Sequence, residues 1–156
     1  MKPFKTMAIA CLTAVACIVL SAMPVLAAKS INYPHLYNVA GSAYTSLGNV
    51  AGSHNGFVKH HRPHCKGEMH KSWSKKARTD VAAAKSVIKR LSKATKKQRK
   101  HALFHDMMKA AKDLAGWGQS HIIGRTGTCK SMPTGSQTVN GDLNQVANDL
   151  GLQPVY

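Results

Sequence analysis

Residues 73–94 read WSKKARTDVAAAKSVIKRLSKA, and this stretch decides the fold. Trp73, Ala77, Val81, Ala84, Ile88 and Leu91 recur every three or four positions, which sets them on one face of a helix over 74–94. Arg78, Lys85, Lys89 and Lys93 recur along an adjoining face, which must be solvated or meet something anionic. A helix with one apolar stripe has to bury it against other elements, so partner helices are expected on either side.

On the N-terminal side, Leu36, Val39, Ala40, Ala43, Leu47, Val50 and Ala51 keep the helical spacing and predict a helix over 34–53. Pro34 suits its first turn, with Asn32 or Tyr33 near the cap. Gly41, Gly48 and Gly52 each weaken it by about 1 kcal/mol relative to alanine, so it depends on packing. Residues 53–71, rich in Gly, His and basic side chains and interrupted by Pro63, read as a loop.

On the C-terminal side, Thr95 and Gln98 have the spacing of a capping box and predict a new helix start. That helix carries Leu103, Phe104, Met107, Met108, Ala111 and Leu114 inward and ends near Gly116 or Gly118. Residues 117–139 form a long Gly-rich loop in which His121-Ile122-Ile123 makes a brief extended patch. A last short helix runs from a cap at Asn140 through Leu143, Val146, Ala147 and Leu150 to a stop at Gly151, followed by a short extended tail. The expected fold is all-α: a small bundle of about four helices, up-and-down, in a single domain over 28–156.

The N-terminus reads as a removable secretory signal. Lys2 and Lys5 precede an uncharged, mostly apolar run over 7–26, and Val25-Leu26-Ala27 suits cleavage after Ala27, with a cut after Ala28 nearly as good. A retained membrane anchor fits less well, because Pro24 and small residues close the run. Neither Cys11 nor Cys17 has the aliphatic residue three places upstream that a lipoprotein signal would carry. A periplasmic or secreted destination is expected, with residues 1–27 removed. Cys65 and Cys129 then remain, and in an oxidising compartment an even pair most simply forms one disulfide. In the chain-entropy view such a loop closure stabilises by about 4 kcal/mol.

Tyr33-Pro34-His35-Leu36, continued by alanines and aliphatics at helical spacing, resembles the opening of small exported bacterial helical proteins whose mature chain begins with a similar Pro-His-Leu. The resemblance covers residues 33–94, continuing through a Gly- and His-containing loop into the helix that holds Lys76-Ala77 to Leu91. It implies export and a helical fold, and no activity.

Charge is the largest physical signal. The chain holds 22 Lys and Arg against six acids, a formal charge of +16, which falls to +14 without Lys2 and Lys5. Residues 59–112 alone carry 17 of the cations and three acids, while the flanks of the mature chain cancel. Arg78, Lys85, Lys89, Lys93, Lys96 and Lys100 share a side if the helix continues past 94, and form the candidate anion-binding set. Such a surface attracts an anionic polymer or membrane surface, with affinity falling as salt rises. Trp73 is the only aromatic near its start, so base stacking and sequence-specific nucleic-acid reading are not indicated. Export makes envelope polymers and lipid headgroups the nearer partners.

The alternative is metal binding. Lys59-His60-His61-Arg62-Pro63-His64-Cys65, with His70 beyond, gathers imidazoles of the kind that hold zinc, copper or nickel, so His60, His61, His64 and His70 are the candidate ligands. No Cys-x-x-Cys pair is present, and Lys59, Arg62 and Lys66 repel a cation. His101 and His105, four apart, offer a two-point site on one helix face, or stand as boundary residues beside Phe104 and Met108. Position 102 is Ala, where a zinc-protease motif needs Glu. His121 joins either set only if the fold brings it there. The acids Glu68, Asp80, Asp106, Asp113, Asp142 and Asp149 are widely spread, with no pair that suggests acid-base catalysis, so no enzyme is expected.

Overall fold

The structure is a computed structural model that describes residues 30–61, 68–122 and 131–156, and for residues 68–70 the backbone alone. The expected signal segment, Cys65, Cys129 and His64 therefore lie outside the described residues, as does the side chain of His70. The described residues form four helices, α1 (Tyr33–His61), α2 (Glu68–Leu91), α3 (Ala102–Gln119) and α4 (Gln137–Asp149), with a 3-10 turn at Gln98–Lys100. Among the described residues there is no strand, and the expected small all-α bundle is what the chain adopts.

Asn32 caps α1 by accepting the His35 N–H on its side-chain oxygen at 3.0 Å. The helix then runs eight residues past the expected end at position 53. His54 and Val58 extend the buried row of Leu47, Val50 and Ala51, so packing overrides the cost of glycine in the segment read as a loop. Asn55 ties this added length to the far end of the chain. Its amide donates to Met132 O at 2.9 Å and its carbonyl oxygen accepts from Met132 N at 2.8 Å.

In α2, Ala77, Val81, Ala84 and Leu91 are buried as the stripe requires; Val87, outside the expected stripe, is fully buried, while Trp73 and Ile88 are only half-buried at the margins. The helix stops at Leu91, short of the expected 94. The capping box is present: Thr95 N donates to Gln98 Oε1 at 2.9 Å and Gln98 N donates to Thr95 Oγ1 at 3.2 Å. It caps the 3-10 turn, and α3 begins only at Ala102. Arg99 closes α2 from the other side, donating to Ala94 O at 3.0 Å and Ser92 O at 2.8 Å.

α3 passes both glycines expected to end it. Gly118 is a packing residue, since a Cβ there would lie 2.6 Å from Val81 Cγ2 and 3.1 Å from Leu47 Cδ1. The three helices α1, α2 and α3 therefore meet at its bare backbone. His121 does not begin an extended patch: its N–H closes the last turn on Gly118 O at 3.1 Å, and Ile123 lies outside the described residues.

α4 starts one turn earlier than expected, capped by Ser136, whose hydroxyl accepts from Val139 N at 3.2 Å; Asn140 lies inside the helix. Val139, fully buried, explains the extra turn. Gly151 ends it at φ 68, with Leu152 N donating to Ala147 O at 2.8 Å and Gly151 N to Asn148 O at 3.0 Å, the paired bonds of a Schellman stop. The tail returns to the bundle instead of running free. Tyr156 N donates to Asn144 Oδ1 at 3.0 Å, Asn144 Nδ2 donates to Tyr156 O, and the Tyr156 ring stands edge-on to Tyr44.

Successive helices run antiparallel. His54 on α1 meets Trp73 on α2 while Leu47 and Val81 share Gly118, and Lys109 on α3 reaches Asp142 on α4. α2 packs on α1 and α3, α4 packs on α3 and α1, and α2 does not touch α4. One core of Leu36, Leu47, Leu91, Met107, Leu114 and Leu143, with many alanines, fills the centre.

Candidate functional site

At 100° per residue, Lys71, Arg78, Lys85 and Lys89 fall within about 40° of one another on α2, on a face that adjoins its buried stripe beside Val81. All four are exposed. The row covers about 27 Å of helix at 1.5 Å per residue. Among the described residues, ion pairs involve only Lys76 and Lys109, so no carboxylate with a described side chain pairs with the row. The only acid near it in α2 with a described side chain, Asp80, is buried on the other side.

Lys93, Lys96 and Lys100 are also exposed; Lys93 follows Lys89 by one turn, where Ser92 N still donates to Ile88 O, but Lys96 and Lys100 do not prolong the row, because α2 ends at Leu91. They sit with Lys97 on the connection 92–101, at the end of the bundle where α1 begins. The expected single stripe is thus two patches, one along α2 and one on its cap. Arg99 belongs to neither, because its guanidinium is occupied by Ser92 and Ala94 carbonyls. Lys71 and Lys97 were not among the expected residues; the seven-residue step from Lys71 to Arg78 was the available signal for the first.

Four of the six carboxylates, read as widely spread, are gathered by the fold. Asp106 and Asp113 lie seven apart on α3, Asp142 and Asp149 seven apart on α4, and the two pairs face each other. Lys109 donates to Asp113 Oδ2 at 3.0 Å and Asp142 Oδ1 at 2.5 Å. Burial raises the Asp106 carboxyl above its ordinary range, and a hydrogen bond and the charge of Asp149 push it further. Burial also raises Asp142, against the pull of Lys109. Asp113 is held low by its hydrogen bond to Lys109, whose own ammonium is raised by its bonds to Asp142 and Asp113. This acidic seam on α3 and α4 includes the helix diagonal to the basic face of α2.

The histidines are spread among different duties. His60 and His61 are exposed in the last turn of α1, with the His61 ring stacked on Phe57 at 4.5 Å; His64 and the His70 side chain lie outside the described residues. His101 is the extended cap of α3 and not a member of the helix, so it does not form a regular four-spaced helical pair with His105. His105 stands edge-on to Phe104 at 5.4 Å. His121 is fully buried, with Nδ1 2.9 Å from Trp117 O and Nε2 3.0 Å from Pro133 O, so its ring joins α3 to the next connection. Among the described residues, no three His, Cys, Asp or Glu side chains are grouped to hold a metal ion.

No helix among the described residues is long and apolar enough to cross a membrane. Compared with known proteins, the chain matches no family model, and no curated protein or solved structure shows significant similarity to it.

Proposed function

We propose that this is an exported, non-enzymatic helical protein that binds polyanions, such as an anionic envelope polymer or lipid headgroups, through the outer face of α2 and the cationic connection after it. The observation that carries the reading is the row Lys71, Arg78, Lys85 and Lys89, exposed over one side of a helix with no ion-pair partner among the described residues. Lysine stems lie flat on a helix while their ammonium groups stay in water, so the row presents charge without needing a pocket. Its recognition is of charge density and not of sequence, because three of its four members are flexible lysines that act as point charges and only Arg78 offers a bidentate fork. The signal segment and the destination outside the cytoplasm belong to the same proposal.

Replacing Lys85, Lys89, Lys93 and Lys96 together by Gln tests it, with heparin and anionic vesicles as probes. The expected result is loss of binding with the helical circular dichroism unchanged, and for the wild type a steep fall in affinity between low and physiological salt. Binding by the variant that is unchanged and insensitive to salt would overturn the proposal.

A further inference from the structure

A groove of about 320 Å³ lies between the first half of α1 and the middle of α2, a volume near the lower end for small-molecule sites. Val39, Ala43 and Ala83 give it apolar walls, and Asn38, Ser42 and Asp80 supply polar atoms. The small side chains Ala43 and Ala83 leave the space that larger ones would fill.

Asp80 is the unusual member. Its side chain keeps only 6% of its exposure, and its one ion-pair contact, Oδ1 to Lys76 Nζ, is long at 3.4 Å. Lys76 itself is 55% exposed, so that contact is easily exchanged for water. Oδ2 is buried and accepts no hydrogen bond from any described residue. A carboxylate oxygen withdrawn from water without a donor is costly. Asp80 faces α1, away from the cationic row on the outside of α2, and is one of the residues that line the groove.

We propose that this groove binds a primary alkylammonium group, with Asp80 as its counter-ion. The ammonium gives Asp80 the charge-assisted hydrogen bonds that it lacks, and Asn38 and Ser42 accept from the remaining N–H groups. A short alkyl chain covers Val39, Ala43 and Ala83. A chain with a formal charge of +16 repels cations at long range, so binding here has to come from the local carboxylate and the apolar walls. Lys76 is the built-in competitor, since its own ammonium already rests on the same carboxylate.

The test follows amide chemical shifts of the full chain by NMR during titration with n-butylammonium, with n-butanol as the neutral isostere. Saturable shifts at Ser42, Thr79 and Ala83 are expected with the ammonium and not with the alcohol. Asp80→Asn should weaken binding by about tenfold or more. Lys76→Met should tighten it by up to about fivefold, beyond what the same loss of charge at Lys100→Met achieves. Ser42→Leu, at an exposed helix position, should block the groove while leaving the fold intact. Nα-acetyl-lysine N-methylamide separates the two sources of the group: binding as good as that of butylammonium assigns a lysine side chain, and binding by butylammonium alone assigns a free amine. Equal shifts with butanol, or undiminished binding in both Asp80→Asn and Ser42→Leu, would overturn the proposal.

Discussion

Gly118 shows how one residue type serves opposite ends. In sequence it reads as a helix stop, yet α3 runs through it, and the absent Cβ is what lets α3 approach Val81 and Leu47. Gly118→Ala should therefore destabilise by about 1–3 kcal/mol through overpacking. Gly52→Ala, exposed within α1 with nothing within 4 Å of the added methyl, should stabilise by about 0.5–1 kcal/mol. Urea melts of the two variants against the wild type read the contrast, and a gain in stability for Gly118→Ala would contradict the packing described. Residues whose role is set by bonds a few positions away were legible from sequence: Thr95 with Gln98, and Gly151 as a stop. Gly118, His121 and Arg99 were not, because the partners of Gly118 come from two other helices, and those of His121 and Arg99 are backbone carbonyls that no side-chain pattern marks.

At the scale of elements, existence and type were readable and ends were not. The periodic stripes fixed four helices, because burial of a stripe is a property of spacing alone. The ends of α1 and α4 moved because His54, Val58 and Val139 enter the core from segments whose glycines and polar residues argue against a helix. The pairing of α3 with α4 was equally hidden, and with it the carboxylate seam, for which the seven-residue steps in each helix were the sole clue. Asp106 provides its test. With its carboxyl raised in the folded protein, the protonated form is favoured there, so its contribution is full below the ordinary carboxylate range and is lost as pH rises through the raised value. At neutral pH its charge is therefore a net cost. Asp106→Asn should raise the melting temperature at pH 7 and change it little at about pH 3.5. Asp113, held low by Lys109, works in the opposite direction and loses its contribution as the solution is acidified. A variant with no gain at pH 7 would mean that Asp106 carries its charge without penalty.

For the whole molecule, the arrangement of charge matters more than its sum. The net charge and its concentration over residues 59–112 were plain in the sequence, but the division into an α2 row and a capping patch required knowing that α2 ends at Leu91. If polyanions bind as proposed, acetylation of surface lysines in the presence of heparin should spare Lys71, Lys85 and Lys89, while Lys109, held in the acidic seam, reacts at the same rate with and without it. Uniform protection of all four would indicate diffuse adsorption with no preferred face. The placement of α4 diagonal to α2 has a kinetic consequence. With excess positive charge on one side and carboxylates gathered toward another, an approaching anionic surface exerts a torque as well as a pull, so the molecule turns its basic side forward before contact. If polyanions bind as proposed, replacing Asp142 and Asp149 by Asn should speed capture while leaving the rate of escape nearly as it was.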